Sequence, residues 1–141
     1  MRIVLDTNVL VAGLLNPSGN PGRTLDLFLA GEVTLLVDDR ILAEYRAVLR
    51  RPKFGFDAGD VSDVLDHIEA ESVRVTALPL DVELPDERDL PFLEVGVAGY
   101  ADALVTGNAR DFRLPGTAGI PIESPADFIR HWNERRRPPS A

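Results

Sequence analysis

Four acidic residues lie at positions from which separate elements of the chain could bring them together. Asp6 ends a short apolar run near the N-terminus, and Glu44 lies among apolar residues of a predicted helix. Asp89 precedes an apolar helical segment, and Asp111 lies in the loop after a second apolar run. Clustered carboxylates without His or Cys are the ligands that hard divalent cations, Mg²⁺ or Mn²⁺, prefer. Such an ion positions and deprotonates a water molecule and stabilises the charge of an in-line phosphoryl displacement.

The rest of the sequence offers no constellation for a different chemistry. The chain has no cysteine, which excludes disulfides, thiol nucleophiles and cysteine-bound zinc. Its two histidines, His67 and His131, are far apart in the sequence, so neither a histidine metal site nor a histidine base with a nucleophile is encoded. The phosphate-binding glycine motifs and the G-x-S-x-G setting of a serine nucleophile are also missing from the sequence.

Each of the four acids also has a structural interpretation. Asp6 could cap the helix that follows it, and Glu44 could pair with Arg40 one turn earlier on the same helix. Asp89 could be a first-turn acid that the helix dipole favours, and Asp111 could be a turn residue. Only their joint arrangement favours a metal site over these alternatives.

Short apolar strands alternate with helices along the chain. Such alternation predicts β-α units, a mostly parallel sheet and helices on both of its faces. In sheets of this kind, functional groups gather beyond the carboxyl ends of the strands, where Asp6 and Asp111 would then lie. Strands are predicted at 2–6, 32–37, 73–78, 103–106 and 120–122. Helices are predicted from a cap at Thr7 or Asn8 to residue 15, after a loop over 16–22 to about residue 31, from a cap at Asp38 or Asp39 to 51, from Asp60 or Ser62, over 92–101 and after a cap at Ser124.

Length and composition are those of one globular domain in the cytoplasm. The chain has 141 residues, 45% of them hydrophobic, and no apolar stretch approaches the roughly 20 residues that span a bilayer. Its formal net charge is −8, and the segment 57–89 alone carries eleven acids and two bases. Such a chain binds nucleic acid poorly unless a cation offsets its carboxylates.

Four segments in this order resemble the PIN-domain proteins, in particular the bacterial VapC-like branch of toxins from toxin–antitoxin pairs. The segments are DTNV at 6–9, ILAEYRAVL at 41–49, DLPFLE at 89–94 and ADALVTGNARDF at 101–112. The resemblance extends from Arg2 to about Trp132.

The resemblance implies a three-layer α/β/α domain with a central, mostly parallel sheet and an acidic pocket that binds Mg²⁺ or Mn²⁺. It also implies metal-dependent hydrolysis of RNA phosphodiesters, a homodimer, and a small antitoxin protein that holds the enzyme inactive. The acids that match the family's ligands are Asp6, Glu44 and Asp89, with Asp111 as the fourth. Asn8 and Thr106 would orient the ligands or the bound water.

Two departures from the family pattern bear on the site. Many relatives have Asp where this chain has Asn108, which removes one charge next to the metal. Pro91 follows the third acid by two residues and restricts its local geometry. Asp86 and Glu87 compete with that acid as ligands, and Asp102 is either a further ligand or a hydrogen-bonding partner beside its strand.

The leading hypothesis is a metal-dependent endoribonuclease that uses no protein nucleophile. The alternative is a PIN-fold module that binds RNA or a protein without cleaving, which Asn108 and the net acidity favour. A phosphohydrolase with Asp6 as nucleophile fits less well, because such enzymes have a second Asp where Asn8 stands. The expected organisation is a nuclease domain over 1–134 and an Arg/Pro-rich, disordered tail over 135–141.

Arginines are the cations available to bind an RNA backbone, since fourteen of the fifteen basic residues are Arg. Those in or near the segments that supply the site are Arg2, Arg23, Arg40, Arg46, Arg50, Arg51, Arg110 and Arg113. The alternative is that most of them are solvated surface residues. The acidic segment 57–89 would then face solvent or a basic partner.

Overall fold

A computed structural model describes residues 1–112 and 119–136 of the chain. Its strands are β1 (Arg2–Leu5), β2 (Thr34–Val37), β3 (Val73–Arg74), β4 (Ala103–Val105) and β5 (Ile122–Glu123). Its helices are α1 (Thr7–Leu15), α2 (Asn20–Leu29), α3 (Asp39–Leu49), α4 (Ala58–Glu71), α5 (Leu90–Ala98) and α6 (Pro125–Arg135). The predicted alternation of strands and helices is therefore confirmed.

The five strands form one parallel sheet in the order β3-β2-β1-β4-β5. Strand β1 is central, and its Ile3 pairs with Leu35 on one side and with Ala103 on the other. Ile3, Val4 and Leu5 are all at most 1% exposed, as expected for a central strand with both faces covered. Because the strands are parallel, the residues that follow β1 and β4 meet at the same edge of the sheet.

The helices cover both faces of this sheet. Helix α2 contacts α1 and α6, while α3 contacts α4 and α5. Helix α5 also packs on β1, β2 and β4, and its Phe92, Leu93 and Val95 are buried. This arrangement is the predicted three-layer α/β/α fold.

Side-chain caps define where three helices begin. At α3, the carboxylate of Asp38 accepts a hydrogen bond from the amide of Ile41 (3.0 Å), so Asp38 rather than Asp39 is the cap. At α6, the hydroxyl of Ser124 accepts one from the amide of Asp127 (3.1 Å), as predicted. Asp57 caps α4 by accepting from the amide of Asp60. The predicted start of that helix at Asp60 or Ser62 was wrong, because the cap lies one turn earlier.

Several other predicted boundaries were displaced. Strand β3 ends at Arg74 rather than at residue 78, and β5 lies over Ile122–Glu123 rather than 120–122. Helix α2 begins at Asn20, inside the predicted loop, with Pro21 in its first turn, where proline costs no hydrogen bond. Helix α5 covers Leu90–Ala98 rather than the predicted 92–101. It cannot continue to residue 101, because Tyr100 adopts a left-handed φ of 53°.

The C-terminal tail is described only in part. Arg135 ends α6 and Arg136 follows it, whereas residues 137–141 of the predicted tail lie outside the described residues, as does Arg113. Within the described ranges, no helix has the length and hydrophobicity needed to cross a membrane.

Candidate functional site

All four candidate acids line one cavity of about 440 Å³ at the carboxyl ends of β1 and β4. Asp6 follows β1, Glu44 lies on α3, Asp89 precedes α5, and Asp111 lies on a short 3₁₀ turn after β4. Asn8 and Asn108 line the same cavity. The structure therefore brings together side chains that are up to 105 positions apart in the sequence.

Asp6 is held at the edge of the sheet by the segment that follows β4. Its amide donates to the carbonyl of Val105 (2.9 Å), and its Oδ2 accepts a hydrogen bond from the hydroxyl of Thr106 (2.7 Å). The Thr106 hydroxyl in turn accepts from the amide of Asn108 (3.0 Å). Thr106 thus orients the carboxylate of Asp6, the role that the resemblance implied for it.

Burial is the main reason why the pKa of Asp6 is raised above its ordinary value. The hydrogen bond from Thr106 opposes this shift, and the charge of Glu44 adds to it. Although the amides of Thr7 and Asn8 favour the charged form, the side chain makes no capping hydrogen bond to α1. Asp6, rather than the predicted Thr7 or Asn8, thus stands at the N-cap position of α1, without a capping hydrogen bond from its side chain.

Glu44 is fixed against α1 and the end of β1. Its Oε2 accepts a hydrogen bond from the hydroxyl of Thr7. The next residue, Tyr45, is fully buried, and its hydroxyl donates to the carbonyl of Leu5. These two contacts hold α3 at the strand end that carries Asp6. The proposed pair between Glu44 and Arg40 was wrong, because Arg40 instead reaches Asp38 and Glu94.

Asp89 is the acid that its surroundings perturb most. Its pKa is raised from 3.8 to about 7, first by burial and then by the charges of Asp6, Asp86, Asp111 and Glu44. Pro91 lies in the first turn of α5, directly after this acid. The cavity therefore concentrates negative charge that a bound cation would relieve.

The two asparagines connect separate elements around the cavity. The Oδ1 atom of Asn8 accepts a hydrogen bond from the amide of Gly107 (3.1 Å), which joins α1 to the loop after β4. The carbonyl of Asn108 accepts from the amide of Asp111 (2.9 Å) and so starts the turn that carries this acid. Both asparagines help to position the acids.

The three other acids considered as metal ligands lie in three different environments. Asp86 lines the cavity, but it accepts hydrogen bonds from the backbone amide and the guanidinium of Arg88 at 2.9–3.1 Å. Glu87 lies beside a different cavity, lined by Arg40 and Leu84. Asp102 accepts from the amide of Arg2 (2.8 Å) and lies outside the site, so its hydrogen-bonding interpretation is confirmed.

Sequence reasoning missed three residues that line the cavity. Arg88 was counted only as a base in an acidic segment, and Phe54 was not considered at all. Arg51 was named only among eight arginines. The sequence did contain a pattern that pointed to Phe54 and Arg51, since residues 50–56 are RRPKFGF and combine cations with aromatic rings.

The donor chemistry of the cavity fits a hard divalent cation. Its carboxylates repel one another, and it contains neither His nor Cys. Across 1–112 and 119–136, no three His, Asp or Glu side chains converge closely enough to hold an ion by themselves. Mg²⁺ is usually bound by one or two carboxylates, with water and substrate phosphates completing its coordination, so an open ring of acids is compatible with it.

Comparisons with known proteins agree with this architecture. A solved structure of the complex VapBC2 from Rickettsia felis, bound to a DNA fragment from its promoter, contains a chain with the same fold. The match has a TM-score of 0.57 and 20% sequence identity and covers 88% of this chain and 98% of that one. The uncharacterized protein MJ1680 of Methanocaldococcus jannaschii is 26% identical over 95% of this chain and 93% of its own.

The fold and the cavity thus define an α/β protein with a group of carboxylates at the ends of its strands. The sequence model of the PIN domain matches residues 2–110, and the chain belongs to the PIN domain family. PIN domains are generally nucleases and usually use divalent metals.

Proposed function

We propose that this protein is a metal-dependent endoribonuclease that hydrolyses RNA phosphodiester bonds and acts as the toxin of a toxin–antitoxin pair. The observation that carries the proposal is the convergence of Asp6, Glu44, Asp89 and Asp111 on one cavity, with the pKa of Asp89 raised to about 7 by burial and by neighbouring charges. Mg²⁺ or Mn²⁺ is the proposed cofactor, and the four acids are its proposed ligands, directly or through bound water.

The proposed mechanism assigns orientation and charge to the residues of this chain. Thr106 fixes one oxygen of Asp6, and Thr7 fixes one oxygen of Glu44, so the second oxygen of each is available to a cation. When bound, the divalent ion supplies an acidic water molecule and positive charge for the phosphate. Arg88 and Arg51 line the cavity and are the side chains that can approach that phosphate.

The cation also accounts for how an acidic protein can bind a polyanion. One or two divalent ions add two to four positive charges to the cavity, which turns a repulsive cluster into a phosphate site. The proposed partners are an RNA substrate, a second copy of the chain and a small antitoxin protein, all in the cytoplasm. The structural neighbour is itself a complex, VapBC2, which supports a protein partner.

One observation favours a second candidate, a PIN-fold module that binds RNA or a protein without cleaving. Asn108 supplies an uncharged amide at the cavity, and the acids do not form a closed ligand set. Such a module would bind its partner equally well with or without a divalent ion.

Metal-dependent cleavage distinguishes the two candidates. Labelled RNA is incubated with the protein in Mg²⁺, in Mn²⁺ or in a chelator, and Mn²⁺ binding is measured by calorimetry. We expect Asp6→Asn and Asp89→Asn to lose both cleavage and Mn²⁺ binding. Asp63→Asn is the matched control, since this acid is exposed on α4 and does not line the cavity. No Mn²⁺ binding at millimolar metal, together with no cleavage, would contradict the proposal.

A further inference from the structure

A short segment at the mouth of the acidic cavity combines aromatic rings with positive charge. We call it the aromatic–basic rim and define it as residues 50–56, a turn of 3₁₀ helix over Pro52–Phe54 with its flanks. Arg51 and Phe54 line the same cavity as Glu44. The rim therefore borders the place where the proposed reaction occurs.

The two phenylalanines of the rim form a stacked pair. The ring centroids of Phe54 and Phe56 are 5.8 Å apart, with 23° between the ring planes. Gly55 between them has a left-handed φ of 64°, which other residues adopt only with strain, and this turn allows both rings to face each other. Both rings pack against the core at one side and remain partly exposed. The rim thus presents a partly exposed aromatic ring, that of Phe54, to the cavity.

Three exposed cations belong to the same segment as these rings. Arg50, Arg51 and Lys53 have no carboxylate within ion-pair distance among the residues that the structure describes, and residues 50–56 contain no acid. Arg40, Arg46, Arg74 and Arg88, by contrast, each pair with an acid. In a chain of net charge −8, a segment with three cations that lack an acidic partner in the described residues, one of them lining the cavity, favours an anionic partner.

We propose that the aromatic–basic rim binds an unpaired nucleobase of single-stranded RNA, which stacks on Phe54 while the cations contact the adjacent phosphates. The proposal rests on the proposed function and adds to it a subsite, at Phe54 and its neighbouring cations, that holds one base beside the cleaved bond. Aromatic rings beside a cationic track are how proteins hold single strands without reading their sequence. In a duplex the bases are stacked inside, so Phe54 would select unpaired RNA next to the cleaved bond.

The ammonium group of Lys53 lies 5.0 Å from the centroid of the Phe54 ring, where it competes with a base. An exposed cation–π contact changes an equilibrium constant by about 2- to 5-fold. Stacking of one base on an aromatic ring changes it by about 5- to 150-fold. The base therefore displaces the ammonium group, and Lys53 becomes available to a phosphate.

The test measures binding separately from cleavage. All variants keep the four acids of the cavity, and the RNA carries phosphorothioate linkages that slow its hydrolysis during titration in Mg²⁺. Binding is followed by fluorescence anisotropy. The probes are a single strand of about twelve nucleotides, the same strand with abasic sugars throughout, and its duplex. Phe54→Leu keeps an apolar side chain and removes the flat ring. Tyr100→Leu is the matched control, because Tyr100 is 85% exposed and lies at the opposite edge of the sheet.

We expect Phe54→Leu to weaken binding of the single strand by about 5- to 150-fold and Tyr100→Leu to leave it unchanged. The abasic strand should bind the parent chain and Phe54→Leu equally weakly, as should the duplex. Equal binding of the single strand by the parent chain and Phe54→Leu would overturn the proposal, as would parent-chain binding that does not depend on the bases. Base-dependent binding by a chain that, with Asp6 intact, fails to cleave unmodified RNA in Mg²⁺ or Mn²⁺ would contradict the proposed nuclease function and leave the rim proposal intact.

Discussion

The guanidinium group of Arg40 lies 2.7 Å from a carboxylate oxygen of Glu94, a buried side chain of α5. The same guanidinium reaches Asp38, the residue that caps α3 (2.7 Å). The second carboxylate oxygen of Glu94 accepts a hydrogen bond from the amide of Leu80 (2.7 Å). The ion pair between Arg40 and Glu94 therefore joins α3, α5 and the segment that leads to Asp89.

Neutralising Glu94 should destabilise the protein. Glu94→Gln keeps the size of the side chain but leaves Arg40 without its buried partner, and we expect a loss of about 1–3 kcal/mol in the free energy of unfolding. The measurement is urea unfolding in the absence of metal. Glu69→Gln is the control, because Glu69 pairs with Arg74 at the surface and should cost under about 1 kcal/mol. Equal stability of both variants and the parent would contradict the role given to Glu94.

Tyr45→Phe should destabilise the protein and loosen the site. The substitution leaves the buried carbonyl of Leu5 without the tyrosine hydroxyl that donates to it, at an expected cost of about 1–3 kcal/mol. Because Tyr45 joins α3 to the strand end that carries Asp6, we also expect weaker Mn²⁺ binding by calorimetry. Tyr100→Phe is the exposed control and should change neither quantity. A Tyr45→Phe variant that melts at the parent's temperature would rule out this contact as a stabilising one.

The metal-free protein should lose stability as the pH rises. The pKa of Asp89 is about 7 in the folded chain against an ordinary value of 3.8, so folding binds a proton between those two values. The stabilisation is complete below about pH 4 and is lost as the pH rises through about 7. Urea unfolding in a chelator between about pH 5 and pH 8 should show this decline, and Asp89→Asn should flatten it. If the free energy of unfolding of Asp89→Asn declined as much with pH as that of the parent, another titrating group would be responsible.

Replacing Asp6 should leave the metal-free protein at least as stable as the parent, but should make it less stable than the parent when metal is bound. In a chelator, Asp6→Asn should be at least as stable as the parent, because burial raises the pKa of Asp6 and so disfavours its charged form in the folded state. In Mn²⁺ at 100 times its dissociation constant, the parent should gain about 2.7 kcal/mol that the variant lacks. Thermal melting with and without Mn²⁺ measures both effects. A variant that gains as much from Mn²⁺ as the parent would show that Asp6 is no ligand.

Local patterns along the chain were sufficient to predict the class of fold. The β-branched run that forms β1, the alternation of strands and helices and the cap at Ser124 depend on residues within a few positions of one another. Asp6 and Asp111 could be predicted to meet because parallel strands place their carboxyl ends at a common edge. Glu44 and Asp89 matched the site through the resemblance to the PIN family. Boundaries were less accurate, as at α4, where the start was predicted at Asp60 or Ser62 and the cap is Asp57.

Pairing over long sequence distances was decided only by the tertiary structure. Arg40 had an acid one turn away in Glu44, yet it pairs with Glu94, 54 positions later, because the packing of α5 brings that carboxylate within 2.7 Å. Phe54 and Arg88 reach the cavity for the same reason, since the path of the chain after α3 and before α5 places them there. Sequence periodicity determines which face of an element is apolar, whereas the partner of a charged or aromatic side chain depends on how the elements pack.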